Sequence, residues 1–135
     1  MPKLDSARVD NRLETDGVWM THPLGYRFRI ARSGNDRFME RVRELRQPWL
    51  SLIEGGGDIP RGENSRIISE AGADFILVGW EEVLDGAEKP IPYSHEASLK
   101  LLTDPQLHDL SEWIWNRSRG MESYRLNGIA SAKGN

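Results

Sequence analysis

The 135-residue chain has no cysteine. That absence excludes disulfides, thiolate nucleophiles and zinc–cysteine sites, and it fits a reducing cytosol. Long apolar runs are missing too: nothing approaches the roughly 18 consecutive residues a membrane span needs. The N-terminal stretch carries acids and arginines where a signal peptide has an apolar core. These absences predict a cytoplasmic protein that makes no membrane contact. Catalytic patterns are equally scarce. The three histidines, His22, His95 and His108, stand at no metal-ligand spacing such as H-E-x-x-H. The glycine run Gly55-Gly56-Gly57 is followed by no Gly-Lys-Ser/Thr, so it reads as a linker and not as a phosphate cradle. No serine sits in a G-x-S-x-G setting. Glu81, Glu82 and Asp85 lack the spacing of a calcium loop. The expectation is a protein with no catalytic residue, no metal and no cofactor.

What is present is charge, unevenly placed. The net charge is only −3, yet residues 27–46 hold seven arginines against three acids, and residues 54–96 hold ten acids against three basic residues. Two solvated faces are the plain reading. Self-association, head to tail through the opposite charges, is the sharper one. The arginine run has few interleaved aromatics and the chain is acidic overall, which argues against nucleic acid. Tryptophan is the other surplus, with five in the chain. Trp80 and Trp113 fall where core is expected. Trp115 falls on the polar side of its helix, beside His108, Ser111 and Ser118, and is either covered by another segment or presented to a partner.

The patterning predicts a mainly α, α+β domain over residues 16–126, flanked by a flexible N-terminal arm (1–15) and a disordered tail (127–135). Period-two alternation on both sides of His22-Pro23-Leu24-Gly25 predicts a β-hairpin over 17–31. Asn35 ends a turn that supplies an N-cap, and Phe38, Val42 and Leu45 then recur at helical spacing, giving a helix near 36–47 before Pro48. Ile68, Ala71, Phe75 and Val78 extend a second helix over 64–79. The run Phe75-Ile76-Leu77-Val78 also suits a buried strand, but the helical period flows into it unbroken. Ser94 caps a third helix over 94–102. Asp104-Pro105 opens a fourth over 105–119. The result is a hairpin packed on a compact bundle of about four short helices.

Several short motifs belong together. Trp80 closes the second helix of this reading. Asp85-Gly86-Ala87-Glu88-Lys89-Pro90-Ile91-Pro92-Tyr93-Ser94 expands a "D-G-K-x-I-P-F/Y-S" turn by two residues. Leu101-Leu102-Thr103-Asp104-Pro105-Gln106-Leu107 reads as "L-L-x-D-P-x-L". Asp16-Gly17-Val18-Trp19 and Asn35-Asp36-Arg37-Phe38 match more loosely. In these features the chain resembles the small tail assembly chaperones of long-tailed (siphovirus-type) bacteriophages and prophages. The resemblance implies a non-catalytic cytoplasmic protein of the bacterial host, absent from the mature virion. It would bind the tape measure protein, an aggregation-prone helical chain, and assist assembly with the tail-tube protein. A groove between short helices, with Trp80, Tyr93, Trp113 and Trp115 nearby, would take an amphipathic segment.

Overall fold

The computed structural model describes residues 3–120 and 122–125. The chain folds as α+β, as its patterning predicts. A 3-10 turn (Leu4–Ala7) and helix α1 (Asn11–Asp16) lead into strands β1 (Val18–Thr21) and β2 (Arg27–Ile30). Helix α2 (Asp36–Arg46), a 3-10 turn (Gln47–Trp49) and the short helix α3 (Leu50–Glu54) follow. Helix α4 (Arg61–Phe75) then runs into strand β3 (Leu77–Glu81). Helix α5 (His95–Thr103), a 3-10 turn (Pro105–Leu107), helix α6 (His108–Arg119) and a last 3-10 turn (Glu122–Tyr124) complete the described chain.

The predicted hairpin forms in register, with Met20 opposite Phe28 and Trp19 opposite Arg29. Its turn is closed by His22 N–H donating to the Tyr26 carbonyl at 2.7 Å, and by the His22 Nδ1 accepting from Leu24 N–H at 3.0 Å. The predicted caps form as well. Asn35 accepts from Phe38 N–H, Ser94 from Ala97 N–H, and Asp104 from Gln106 N–H. Asn35 does more than cap. Its amide also donates to the Arg32 carbonyl at 2.6 Å and the Phe75 carbonyl at 3.1 Å, binding the start of α2 to the end of α4.

One element differs from the sequence reading. The helix expected over 64–79 begins at Arg61 and ends at Phe75, and Leu77–Glu81 is a third strand. It pairs antiparallel with β2, placing Phe28 opposite Trp80 and Arg29 opposite Gly79, in the sheet order β1-β2-β3. The reason is non-local. The bare edge of β2 needs partners for its N–H and C=O groups. Ala31 N–H, donating to the Ile76 carbonyl at 2.8 Å, starts the pairing where the helix stops. Ile76 and Leu77 are fully buried by it.

Within the stretch 1–15, expected as a flexible arm, residues 3–15 carry structure. Asp10 caps α1 by accepting from Arg12 and Leu13 N–H. Glu14 pairs with Arg32, and Val9 bridges Arg125. The last helix stops at Arg119, the end expected for it, where Gly120 turns extended. The predicted tail, 127–135, lies outside the described residues.

The sheet packs one face on the helices. Phe28, Ile30, Trp80 and Leu77 meet Phe38 and Val42 of α2, Ile67 and Ala71 of α4, Leu101 and Leu102 of α5, and Ile114 of α6 in one core. The opposite face carries Arg27, which reaches Glu81 across the strands at 3.3 Å and lies over the Trp19 ring at 5.5 Å.

Candidate functional site, an apolar groove beside the sheet

Tyr26, Phe28 and Trp80 alternate with Arg27, Arg29 and Gly79 along β2 and β3, so their rings share the helix-side face. The Phe28 and Trp80 rings meet edge to face, 6.5 Å between centroids. They form the floor of an open cavity of about 270 Å³. Ala97 and Leu101 of α5 and Leu107 and Leu110 beyond it make one wall, and Val83, Leu84 and Ile91 of the turn segment make the other. Lys100 and Asp104 put one charge of each sign on the rim. Leu84 is 50% exposed and Leu107 37% exposed, so apolar surface continues from the cavity out onto the protein.

The turn segment is held tightly against the sheet. Trp80 Nε1 donates to the Ile91 carbonyl at 2.7 Å, and Ile91 N–H donates to the Val83 carbonyl at 2.7 Å. At the tip, the Asp85 carboxylate accepts from Ala87 and Lys89 N–H. Tyr93 stacks edge-on against Trp80 at 5.2 Å, and its hydroxyl donates to the Leu77 carbonyl at 2.7 Å with the Ala73 carbonyl 3.2 Å away. Burial raises the Tyr93 pKa, which keeps the phenol a protonated donor. Ser98 Oγ donates to the same Leu77 carbonyl.

The four aromatic residues expected to line a single groove are therefore separated. Trp80 lines the cavity. Tyr93 stands behind Trp80 as a brace. Trp113 packs against Phe28 at 6.4 Å but lines a second cleft beside β1, where it meets His22 at 4.8 Å and carries Arg117 over its ring at 5.1 Å. Trp115 is half-buried and also lines an open cleft with Ile68, Glu112 and Arg119. Its indole lies against α4 at Gly72, where an added Cβ would come within 2.7 Å of two ring carbons, and it meets Phe38 edge to face at 6.0 Å. The tryptophan on the polar side of α6 is covered in part by α4, which has a glycine where the ring needs room.

Of the cavity-lining residues, sequence reasoning assigned only Trp80 to a site; Tyr26, Phe28, Leu84, Leu107 and Leu110 are among those it left out. The signal in Tyr26 and Phe28 was their alternation, which gives the face but not its neighbour. Leu84 and Leu107 belong to motifs whose spacing marks turns and helix starts and says nothing of exposure.

The lining is aliphatic and aromatic apart from Lys100 and Asp104 at the rim, a surface suited to apolar contact. Among the described residues, no group of three or more His, Cys, Asp or Glu side chains converges as a metal site would require. The cavity is smaller than the ~300–1,000 Å³ of sites that enclose drug-sized ligands. It suits one or two side chains from an apolar surface.

A family model described as YdaY prophage protein matches residues 33–135. The chain belongs to the YdaY prophage protein family. This gives it a phage origin, in line with the resemblance seen in its motifs, while the family's description names no tail component. The match spans α2 to the end of the chain, including the turn segment, α5 and α6, and leaves out the β1–β2 hairpin that supplies Tyr26 and Phe28. No curated protein and no solved structure matches the chain. Among the described residues, no helix is long and apolar enough to cross a membrane.

Proposed function

We propose that this prophage protein is a non-catalytic tail assembly chaperone acting in the host cytoplasm. Its groove holds the apolar face of an amphipathic helix of the tape measure protein during assembly with the tail-tube protein. The observation that carries the reading is the open apolar cavity with Leu84 and Leu107 exposed at its rim. A helix presenting apolar residues at i, i+3 and i+4 would set them against Phe28, Trp80 and Leu101. Lys100 and Asp104 would fix its direction through charge at the rim. Exposed apolar surface of this kind marks interaction sites on otherwise polar proteins.

The alternative of another small morphogenesis or nucleic-acid-binding module draws on the arginine run. Arg41, in the middle of that run, is tied to Glu44, Glu70 and Asp74. A guanidinium already neutralised by carboxylates contributes little to phosphate binding.

The test is co-expression with the tape measure protein of the same prophage, comparing the native chain with Leu107→Asp and Leu84→Asp. Both positions are exposed, so folding survives, as circular dichroism will verify. The native chain keeps its partner soluble and co-elutes with it, and the two variants do not. Equal retention by the variants would remove the groove from the interaction.

A further inference from the structure

Strand β1 lies at the margin of the sheet. His22 N–H bonds Tyr26 across the hairpin, so by the antiparallel alternation Val18 and Met20 also direct their backbone groups at β2, while Trp19 and Thr21 direct theirs away from it. The other side of β2 is taken by β3. Among the described residues, nothing pairs with the outer edge of β1. A free edge of this kind is a template for one more strand.

The edge opens into a cleft of about 500 Å³, distinct from the apolar groove and sharing no lining residue with it. Trp113 and Arg117 of α6 stand on one side, and Trp19 and Arg27 on the other. Each indole carries a guanidinium over its face, at 5.1 and 5.5 Å. Arg27 has Glu81 as a partner, while Arg117 forms no ion pair among the described residues. The backbone edge, bare among the described residues, is thus flanked on the helix-side face by the charge of Arg117, while the charge of Arg27 on the other face is shared with Glu81. Residues 126–135 of this chain contain no Asp or Glu and carry Lys133, so their side chains do not complement it.

We propose that this cleft binds an extended acidic segment of a partner protein, which adds to β1 as a fourth strand. Its backbone bonds Trp19 and Thr21, and its carboxylates, at alternate positions and so on one face, meet Arg117 on the helix side. Main-chain bonds supply register-tolerant affinity, and Arg117 selects acidic side chains. The inference stands apart from the chaperone reading, because it concerns a different surface and a different chemistry.

The test is fluorescence anisotropy with a labelled alternating Glu–Val decapeptide. The controls are the same peptide N-methylated at alternate residues, a Lys–Val peptide and a labelled oligothymidine. Saturable binding of the Glu–Val peptide that weakens with salt is expected. It should fall by about tenfold or more on N-methylation, which removes ladder donors, and in Arg117→Glu, an exposed position whose folding is checked by circular dichroism. Equal binding of the N-methylated peptide would reduce the effect to charge alone and overturn strand addition. Tighter binding of oligothymidine would make the cleft a nucleic-acid groove and overturn the proposal, as would the absence of saturable binding. Concentration-dependent self-association in sedimentation, lost in Arg117→Glu, would make the acidic turn of a second copy the occupant and overturn it too.

Discussion

At the scale of single residues, the contact of Gly72 with Trp115 carries the most consequence. Alanine in a helix is intrinsically favoured over glycine by about 1 kcal/mol. Here the new methyl would meet a rigid ring at 2.7 Å, not the end of a flexible side chain. Overpacking of this sort costs ~1–3 kcal/mol. Gly72→Ala is therefore expected to lower the urea midpoint despite its better propensity, and Gly72→Ala combined with Trp115→Leu should recover much of the loss. Trp115 is legible in the sequence as unusual, but its contact with α4 is not, because that neighbour is set by how α4 crosses α6 and not by anything in α6. Glu88 makes a second residue-scale case. It sits at φ 61, in the left-handed region, at the tip of the turn. The strain costs about 1–2 kcal/mol, partly offset by glycine's greater freedom in the unfolded chain. Glu88→Gly should raise the thermal midpoint slightly, and a lower midpoint would show that the carboxylate itself is needed there. His22 adds a pH dependence. Burial lowers its pKa below the ordinary value of 6.5. Its contribution to stability is thus present above the unfolded value and is lost as pH falls towards the folded one. His22→Asn, whose side-chain oxygen can still accept from Leu24 N–H, should have a shallower fall of stability between neutral and mildly acid pH, read as the difference from the native chain in denaturant titrations.

At the scale of elements, local signals were read correctly and remote ones were not. Asn35, Ser94 and Asp104 cap as expected because a cap is decided within a few residues of itself. Strand β3 was missed because Phe75-Ile76-Leu77-Val78 satisfies either period, and the deciding partner, β2, lies far upstream. Residues 3–15 look unpatterned in sequence for the same reason. Their order comes from Arg32, Tyr124 and Arg125, which are distant in the chain. Tyr124 shows how strongly such an anchor acts. It is 0% exposed, and its hydroxyl donates to the Ile30 carbonyl at 2.9 Å. Burial raises its pKa, so it stays a donor. Its own carbonyl accepts from Asp10 N–H at 2.8 Å. One residue thereby joins the last 3-10 turn to strand β2 through its hydroxyl and to the start of α1 through its carbonyl. Tyr124→Phe keeps the ring and removes one hydrogen bond, a loss of about 1 kcal/mol. Hydrogen exchange should show the amides of α1 opening more often in that variant, and unchanged protection there would mean the ring alone holds the segment.

At the scale of the whole molecule, two surfaces of different chemistry lie on the same small fold: an apolar cavity between the sheet and α5, and a cationic cleft along β1. The sequence announced the ingredients of both, as tryptophans and as an arginine-rich stretch, but it spread them over four expected positions of one groove. The structure assigns Trp80 and Trp113 to different surfaces because the sheet face and the margin of β1 are separate places. Leu107→Asp and Arg117→Glu are accordingly expected to be independent, each changing binding at its own surface and leaving the other as it was. A double variant whose two effects add in free energy would bear this out. The bridge between Val9 and Arg125 has a further consequence. Sequence-distant stretches near either end of the described chain lie side by side, and the tip at Gly86 is open, with nothing within 4 Å of where its Cβ would be. The order in which the polypeptide is threaded is thus separable from the shape it makes: a chain joined across residues 9 and 125 and reopened at Gly86 should refold to the same molecule.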